Sequence, residues 1–312
     1  MIKSKGIFMS ITELNYVSPF DSQKLKAYVF DVEKPKALVV VLHGMADHQR
    51  RFRPLALRLN ESGFRVLTID QRGHGESLYD GHLKGHFADE DGWLHNLEDI
   101  HNIIQQVNGK DQYPMILFGH SMGSIVARSY LRHYGNDLHA LYLSGSPDES
   151  PIAAIGSVIA KAVVSFKGKR HPSPLLTKLS FGPFNADIEN PKTPFDWVSV
   201  DEENIIAYNE DPLCGFDCTA KMFVDLLSGI QEVYRTKDWT IHNPQLPIKL
   251  ESGRLDPCHK PKGIERAAKT LNDLGYQKVE YAYVEGCRHE IYNDISREEL
   301  MDSLVEWCES TL

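Results

Sequence analysis

The stretch ILFGHSMGSIVARSYL, residues 116–131, decides how this chain is read. An apolar run leads into Gly119-His-Ser-Met-Gly123, and a helix-like pattern begins at once. Two readings compete: Ser121 as a nucleophile on a strained strand-to-helix turn, or Ser121 as an ordinary loop serine. The pattern G-x-S-x-G settles little alone, since average residue usage gives a chance match in about one chain in ten of this length. Context sharpens it. Such a turn needs a strand directly before the serine, a helix directly after, and small residues two positions to either side. Gly119, Gly123 and the flanking runs meet these conditions, so Ser121 is expected to be a nucleophile.

Working outward, the chain alternates buried strands and helices. TELNYV (12–17), KLKAYVF (24–30) and ALVVVLHG (37–44) read as strands, the last apolar on both faces like a central strand of a covered sheet. A helix with Phe52, Leu55, Ala56 and Leu59 on one face stops at Gly63, and FRVLTID (64–70) is a further strand. Leu94, Leu97, Ile100, Ile103 and Ile104 mark another helix ahead of the strand 114–119, and 138–146 follows as a strand. The rhythm resumes with a strand at 246–253, a helix at 262–275, a strand at 278–286 and a final helix at 297–311. This order predicts an α/β fold with a mostly parallel central sheet covered by helices on both faces. Between Pro147 and about residue 236 the rhythm breaks into proline-rich helical patterns without a clear buried strand. The expected division is therefore a core of 1–147 and 236–312 with an inserted, mainly helical cap at 148–235. A cap over the carboxyl ends of parallel strands would form one wall of a ligand site.

Composition excludes several classes. The chain has 312 residues, 42% hydrophobic and 25% charged, which is ordinary for a globular protein. A net charge of −9 argues against a nucleic-acid partner, which would call for a basic surface. The five cysteines are expected to be reduced and mostly buried; Cys214 and Cys218 are spaced CxxxC, neither a redox CxxC nor half a zinc site. The first residues lack an apolar signal-peptide core, and ALVVVL (37–42) is too short to cross a bilayer, so a cytoplasmic location is expected.

A serine hydroxyl needs a base to take its proton and a third group to orient that base. In a sheet of this kind the acid and the histidine should follow the serine in that order, each just past a strand. Asp256 follows the strand at 246–253, and His289 follows the last strand, so both fall where the three side chains can converge. Asp70 precedes the serine, and DQRGHGES (70–77) reads better as a structural turn. His120 should point away from its neighbour, and His259 lies on the acid's own loop. The developing oxyanion needs two N–H donors, expected from the backbone of Met122 at the helix start and of Met45 after the strand 37–44. His43 and Gly44 would shape that second loop.

With LHGMADH, DQRGHGES, GHSMGS, SGRLDP and GCRHEIYND in hand, the chain resembles the α/β-hydrolase superfamily over nearly its whole length. Within it, the chain is similar to the monoacylglycerol lipase and lysophospholipase-like group, also grouped with serine aminopeptidases. The resemblance implies an α/β-hydrolase fold, Ser121, Asp256 and His289 as a triad, and Met45 and Met122 as oxyanion donors. Two departures bear on the acyl pocket: Ala46 stands where a second glycine is frequent, and Ser124 where a glycine often follows the elbow. The expected function is hydrolysis of carboxylic esters of lipid-like monoacyl substrates through an acyl-enzyme, without metal or organic cofactor. The alternatives are an aminopeptidase, with Glu202, Glu203, Glu210 or Asp211 holding a substrate amine, and a hydrolase-like protein that binds a small molecule without turnover. Along PIAAIGSVIAKAVVSF, Ile152, Ile155, Ile159, Val163 and Phe166 share one helical side, with Lys167, Lys169 and Arg170 beyond. A lid touching a lipid surface transiently is one reading, and a helix packing on its own core is the preferred one. Cys258 and Cys287 lie within two residues of Asp256 and His289, which brings thiols near the expected site.

Overall fold

The computed structural model describes residues 9–78, 82–149, 151–259 and 262–312. Its centre is β3 (Leu38–Leu42), a strand with every residue buried. Leu38, Val40 and Leu42 face one apolar layer, and Val39 and Val41 face the other. The pleat thus turns a run that is apolar throughout into the middle of a three-layer sandwich.

The strands are β1 (Met9–Val17), β2 (Lys24–Val32), β3, β4 (Arg65–Ile69), β5 (Met115–His120), β6 (Ala140–Ser144), β7 (Pro247–Gly253) and β8 (Lys278–Val284), in spatial order β1-β2-β4-β3-β5-β6-β7-β8. β1 and β2 run antiparallel as a long hairpin on one edge, and the strands from β4 to β8 are mutually parallel. The mostly parallel sheet read from the sequence is the sheet observed. β1 begins at Met9, earlier than the apolar pattern suggests, because its partner β2 supplies backbone hydrogen bonds over the whole length.

Helices α1 (Arg53–Glu61), α2 (Gly92–Asn108) and α3 (Met122–Tyr134) connect the first parallel strands. Between β6 and β7 come α4 (Pro151–Lys167), α5 (Pro174–Phe181), α6 (Glu202–Glu210) and α7 (Ala220–Tyr234); α8 (Gly263–Leu274) and α9 (Arg297–Ser310) follow. One face of the sheet is covered by α2, α3, α7 and α8, and the other by α1 and α9. Within the insertion the only strand-like pairing among the described residues is the bridge Pro172–Thr219.

In α4 the face that packs on the core is made by Ile159, Ala160, Val163 and Val164. The expected stripe is therefore split: Ile159 and Val163 pack inward, Ile155 and Phe166 face solvent, and the side chain of Ile152 falls outside the described residues. A 3.6-residue period allows several neighbouring stripes in a helix this apolar, and contact with α7 selects one.

Parallel register brings the carboxyl ends of the central strands level. Leu42 pairs with Gly119, Gly119 with Leu143, and Ser144 with Glu251. The loops after β3, β5, β7 and β8 therefore emerge together on one edge of the sheet, beneath the insertion.

Candidate active site

Ser121 sits between β5 and α3 with φ 53° and ψ −120°, a conformation that costs a non-glycine residue about 1–3 kcal/mol. The turn is possible only because its flanks lack Cβ atoms. A Cβ on Gly119 would come within 2.4 Å of the Gly123 carbonyl oxygen, and one on Gly123 within 2.4 Å of the Leu42 carbonyl oxygen. The Ser121 N–H donates to Ser144 O at 2.9 Å. Ser124, the departure noted in the sequence, closes the turn instead of widening it: its hydroxyl donates to Ser121 O at 2.6 Å.

Asp256, three residues past β7, is buried. Its Oδ2 accepts from His289 Nδ1 at 2.9 Å and from the Ser252 hydroxyl at 2.7 Å, and Oδ1 accepts from the Cys258 N–H at 2.8 Å. A carboxylate only accepts, so the His289 proton lies on Nδ1 and Nε2 presents a lone pair. Burial alone would raise the Asp256 pKa, but the facing imidazole and the three hydrogen bonds outweigh it and hold it down to about 2. Burial likewise works against protonated His289, yet the charge of Asp256, its hydrogen bond, and the nearby Glu290 and Asp47 bring the pKa above the ordinary 6.5.

The structure brings Asp256 and His289 together and sets Ser121 and His289 on the walls of one small cavity. Among the described residues no hydrogen bond joins Ser121 to His289; in unliganded sites this bond often tightens only with substrate. Met45 and Met122 flank Ser121 along the adjoining larger cavity. The Met122 N–H is the first of α3 and has no intrahelical acceptor. Ala46 takes the left-handed conformation, φ 49°, that a glycine would adopt at lower cost. Its carbonyl accepts from the Gly215 N–H at 2.9 Å and from the Tyr208 hydroxyl at 3.1 Å, both donors from the insertion.

The rejected candidates have structural duties. Asp70 accepts from the N–H groups of Gln49 and Glu76, and a Cβ on Gly75 would collide with its carboxyl. Arg72 is buried among Asp99, Asp21, Gln23 and Ser18. His43 accepts from the Gln71 N–H through Nε2 and donates through Nδ1 to Gly44 O, and burial pushes its pKa down to about 3, so it shapes the loop as a neutral ring. The side chain of His259 falls outside the described residues. His120 lines the smaller cavity, and its ring packs on His289 at 4.7 Å between centroids.

Other neighbours had no local signal. Trp197, from the insertion, packs on His289 at 5.0 Å between ring centroids. Arg51 is held between Asp47, at 3.2 Å, and Glu290, with its guanidinium 4.9 Å from the Tyr208 ring centroid. Cys258 Sγ lies 4.0 Å from His289 Nε2, whereas Cys287 points into the layer under α1 and α9. All five cysteines are free. Two groups among the described residues bring metal-ligating atoms within 4.8 Å of one another: His48–Asp211–Cys214 and Asp256–Cys258–His289.

Two cavities meet at Ser121. The smaller, about 40 Å³, is lined by Asp47, His289 and Glu290 and by the aromatic rings of Phe181, Phe195 and Trp197 among others. The larger, about 420 Å³, is lined by Ile155, Ile159, Leu176, Phe184, Phe223 and Leu227 among others. Of the acids considered for holding an amine, none of Glu202, Glu203, Glu210 and Asp211 lines either cavity; Glu202 pairs with Lys192 and Asp211 with His48.

This sheet, its covering helices and the turn at Ser121 define an α/β hydrolase. Residues 33–296 match the family described as serine aminopeptidase, S33, and the chain belongs to that family. It is 25% identical to the monoacylglycerol lipase of Mycolicibacterium smegmatis over 278 residues, 89% of this chain and 90% of the relative. It is 25% identical to the human monoglyceride lipase over 240 residues, 73% of this chain and 68% of the relative. Among solved structures, a thermostable carboxyl esterase from Bacillus coagulans in complex with glycerol superposes with a TM-score of 0.88 at 27% identity, covering 97% of this chain and 99% of that one.

A histidine acting as general base must be neutral. Because the pKa of His289 lies above 6.5, ester turnover should decline on acidification with a midpoint above that value. Asp256→Asn removes the charge that raises it, so the midpoint should move down while kcat falls by roughly 10⁴. The measurement is kcat/KM against pH for both proteins, and a wild-type midpoint at or below 6.5 contradicts this electrostatic account.

Proposed function

We propose that this protein hydrolyses carboxylic esters of lipid-like monoacyl substrates, such as a monoacylglycerol or lysophospholipid, through an acyl-enzyme on Ser121. The observation that carries the reading is a large cavity with an almost wholly apolar lining that opens at that serine, beside a smaller one whose aromatic walls also carry Asp47 and Glu290. A single acyl chain suits the larger cavity, and Asp47 and Glu290 offer the compact alcohol attached to it polar partners in the smaller one. The apolar volume of about 420 Å³ falls within the ~300–1,000 Å³ usual for pockets that engulf small ligands.

In this reading His289 Nε2 takes the Ser121 proton as the hydroxyl attacks the ester carbonyl. Asp256 holds the ring in the required tautomer and stabilises its charged form. The N–H groups of Met45 and Met122 receive the oxyanion, each donor of this kind being worth roughly 10²–10³ in rate. The alcohol leaves with the proton, and a water activated by the same histidine releases the acid. Residues 148–235 act as a cap that forms one wall of both cavities and holds the Met45 loop through Tyr208 and Gly215.

An aminopeptidase activity is the second reading, and the family description favours it together with one observation. Asp47 and Glu290, on the wall of the smaller cavity, share the guanidinium of Arg51, leaving a net negative charge where an ammonium could dock. Contact of the cap with a lipid surface also belongs to the proposal. In support, Ile155, Val158, Phe166, Leu175 and Leu179 are exposed on α4 and α5. Residues 151–186 contain Lys161, Lys167, Lys169, Arg170 and Lys178 and no acid, although Lys169 and Arg170 are already paired with Glu90 and Asp89. Among the described residues no helix is long and apolar enough to cross a membrane.

A panel of p-nitrophenyl esters of increasing chain length, beside aminoacyl-arylamides, separates the two activities. Esters should be preferred, and Ser121→Ala should lower turnover by several orders of magnitude. Ester hydrolysis that persists in the purified variant, or faster cleavage of arylamides, sinks the first reading. In flotation, the wild type should rise with anionic vesicles and less with neutral ones; no co-migration removes the surface contact.

A further inference from the structure

The junction of the two cavities brings a thiol and an imidazole lone pair face to face. Cys258 Sγ and His289 Nε2 are 4.0 Å apart, Cys258 on the larger cavity and His289 on the smaller. The Nδ1–H of His289 is committed to Asp256, which leaves Nε2 as a free base in a ring almost wholly buried. We propose that this pair is an inhibitory site for a thiophilic divalent cation such as Zn²⁺ or Cd²⁺, bound between Cys258 Sγ and His289 Nε2.

Geometry supports the assignment. A tetrahedral zinc with metal–sulfur and metal–nitrogen bonds of about 2.3 and 2.0–2.1 Å separates its two ligand atoms by roughly 3.6 Å. The observed separation needs to close by only a few tenths of an ångström, within reach of one χ1 adjustment at Cys258. The donor set is soft thiolate plus imidazole, which selects zinc-like cations over magnesium or calcium. The surrounding charge is favourable as well. Asp256, Asp47 and Glu290 all act on His289, and Arg51 pairs with the last two.

Binding breaks the Cys258 S–H bond, forms a sulfur–metal bond and sends the proton to solvent; His289 contributes its lone pair, and no electrons are transferred. The cation then occupies the position through which the Ser121 proton would pass. Inhibition rests on the proposed roles of Ser121 and His289, whereas binding does not, and the two can be measured apart.

Binding is read in Ser121→Ala, titrated with CdCl2, as the ultraviolet absorption of a cadmium–thiolate bond. One equivalent should give the band, and adding Cys258→Ser or Cys258→Ala should abolish it. Inhibition is read as CdCl2 against ester turnover, each protein normalised to its own uninhibited rate. Chelator should restore activity, Mg²⁺ and Ca²⁺ should have no effect, and Cys258→Ser should raise the half-inhibitory concentration roughly tenfold or more. A band or inhibition that survives both Cys258 variants overturns the proposal. So does loss of the band in Cys214→Ser with retention in Cys258→Ser, which would move the ion to His48–Asp211–Cys214. A cadmium band without any ester turnover leaves the cation site standing and defeats the functional reading instead.

Discussion

The close approach of α3 to the end of β3 is the constraint on which the site depends. With the Leu42 and His43 carbonyl oxygens only 2.4 and 2.6 Å from where a Gly123 Cβ would lie, the helix can start directly behind the sheet edge. That proximity forces Ser121 into its positive-φ turn and starts α3 at Met122, directly after it. The strain is held by the Ser144 carbonyl on one side and the Ser124 hydroxyl on the other. A strained residue persists only where its surroundings over-determine it, and here both neighbouring strands and the helix do so.

Much of this was legible in the sequence because it rests on local chemistry. Gly119 and Gly123 announce a turn without room for side chains, and the all-apolar β3 announces a sheet covered on both faces. Asp256 and His289 could be chosen because parallel strands end on one edge, so that chain order and strand ends suffice to bring acid and base together. The 2.9 Å contact between them follows from that topology. Ser121 and His289 meet on a shared cavity wall, while their direct bond is not formed in this state.

What sequence did not reveal lies where distant segments meet. Arg51, Tyr208 and Glu290 are separated by more than a hundred and fifty residues at their extremes, yet form one buried group above the site. No periodicity or spacing could pair them, since the insertion docks through scattered side-chain and backbone contacts and not through strands. The same cause explains His120, whose ring packs between His289 and Phe52, both remote from it in sequence. It also explains α4, where contact with α7 chose a packed face that leaves Ile155 and Phe166 in solvent. Cys287, adjacent in sequence to the site, is turned into the opposite layer, while Cys258 remains at it.

The account stands on Ser121 being an activated nucleophile. Labelling with a fluorophosphonate probe, followed by proteolysis and mass mapping, tests this directly because only a serine activated by a base reacts quickly. A single adduct on the peptide carrying Ser121, formed in the wild type and much more slowly in His289→Ala, is the predicted result. An unlabelled Ser121, or an adduct on another residue, would contradict it.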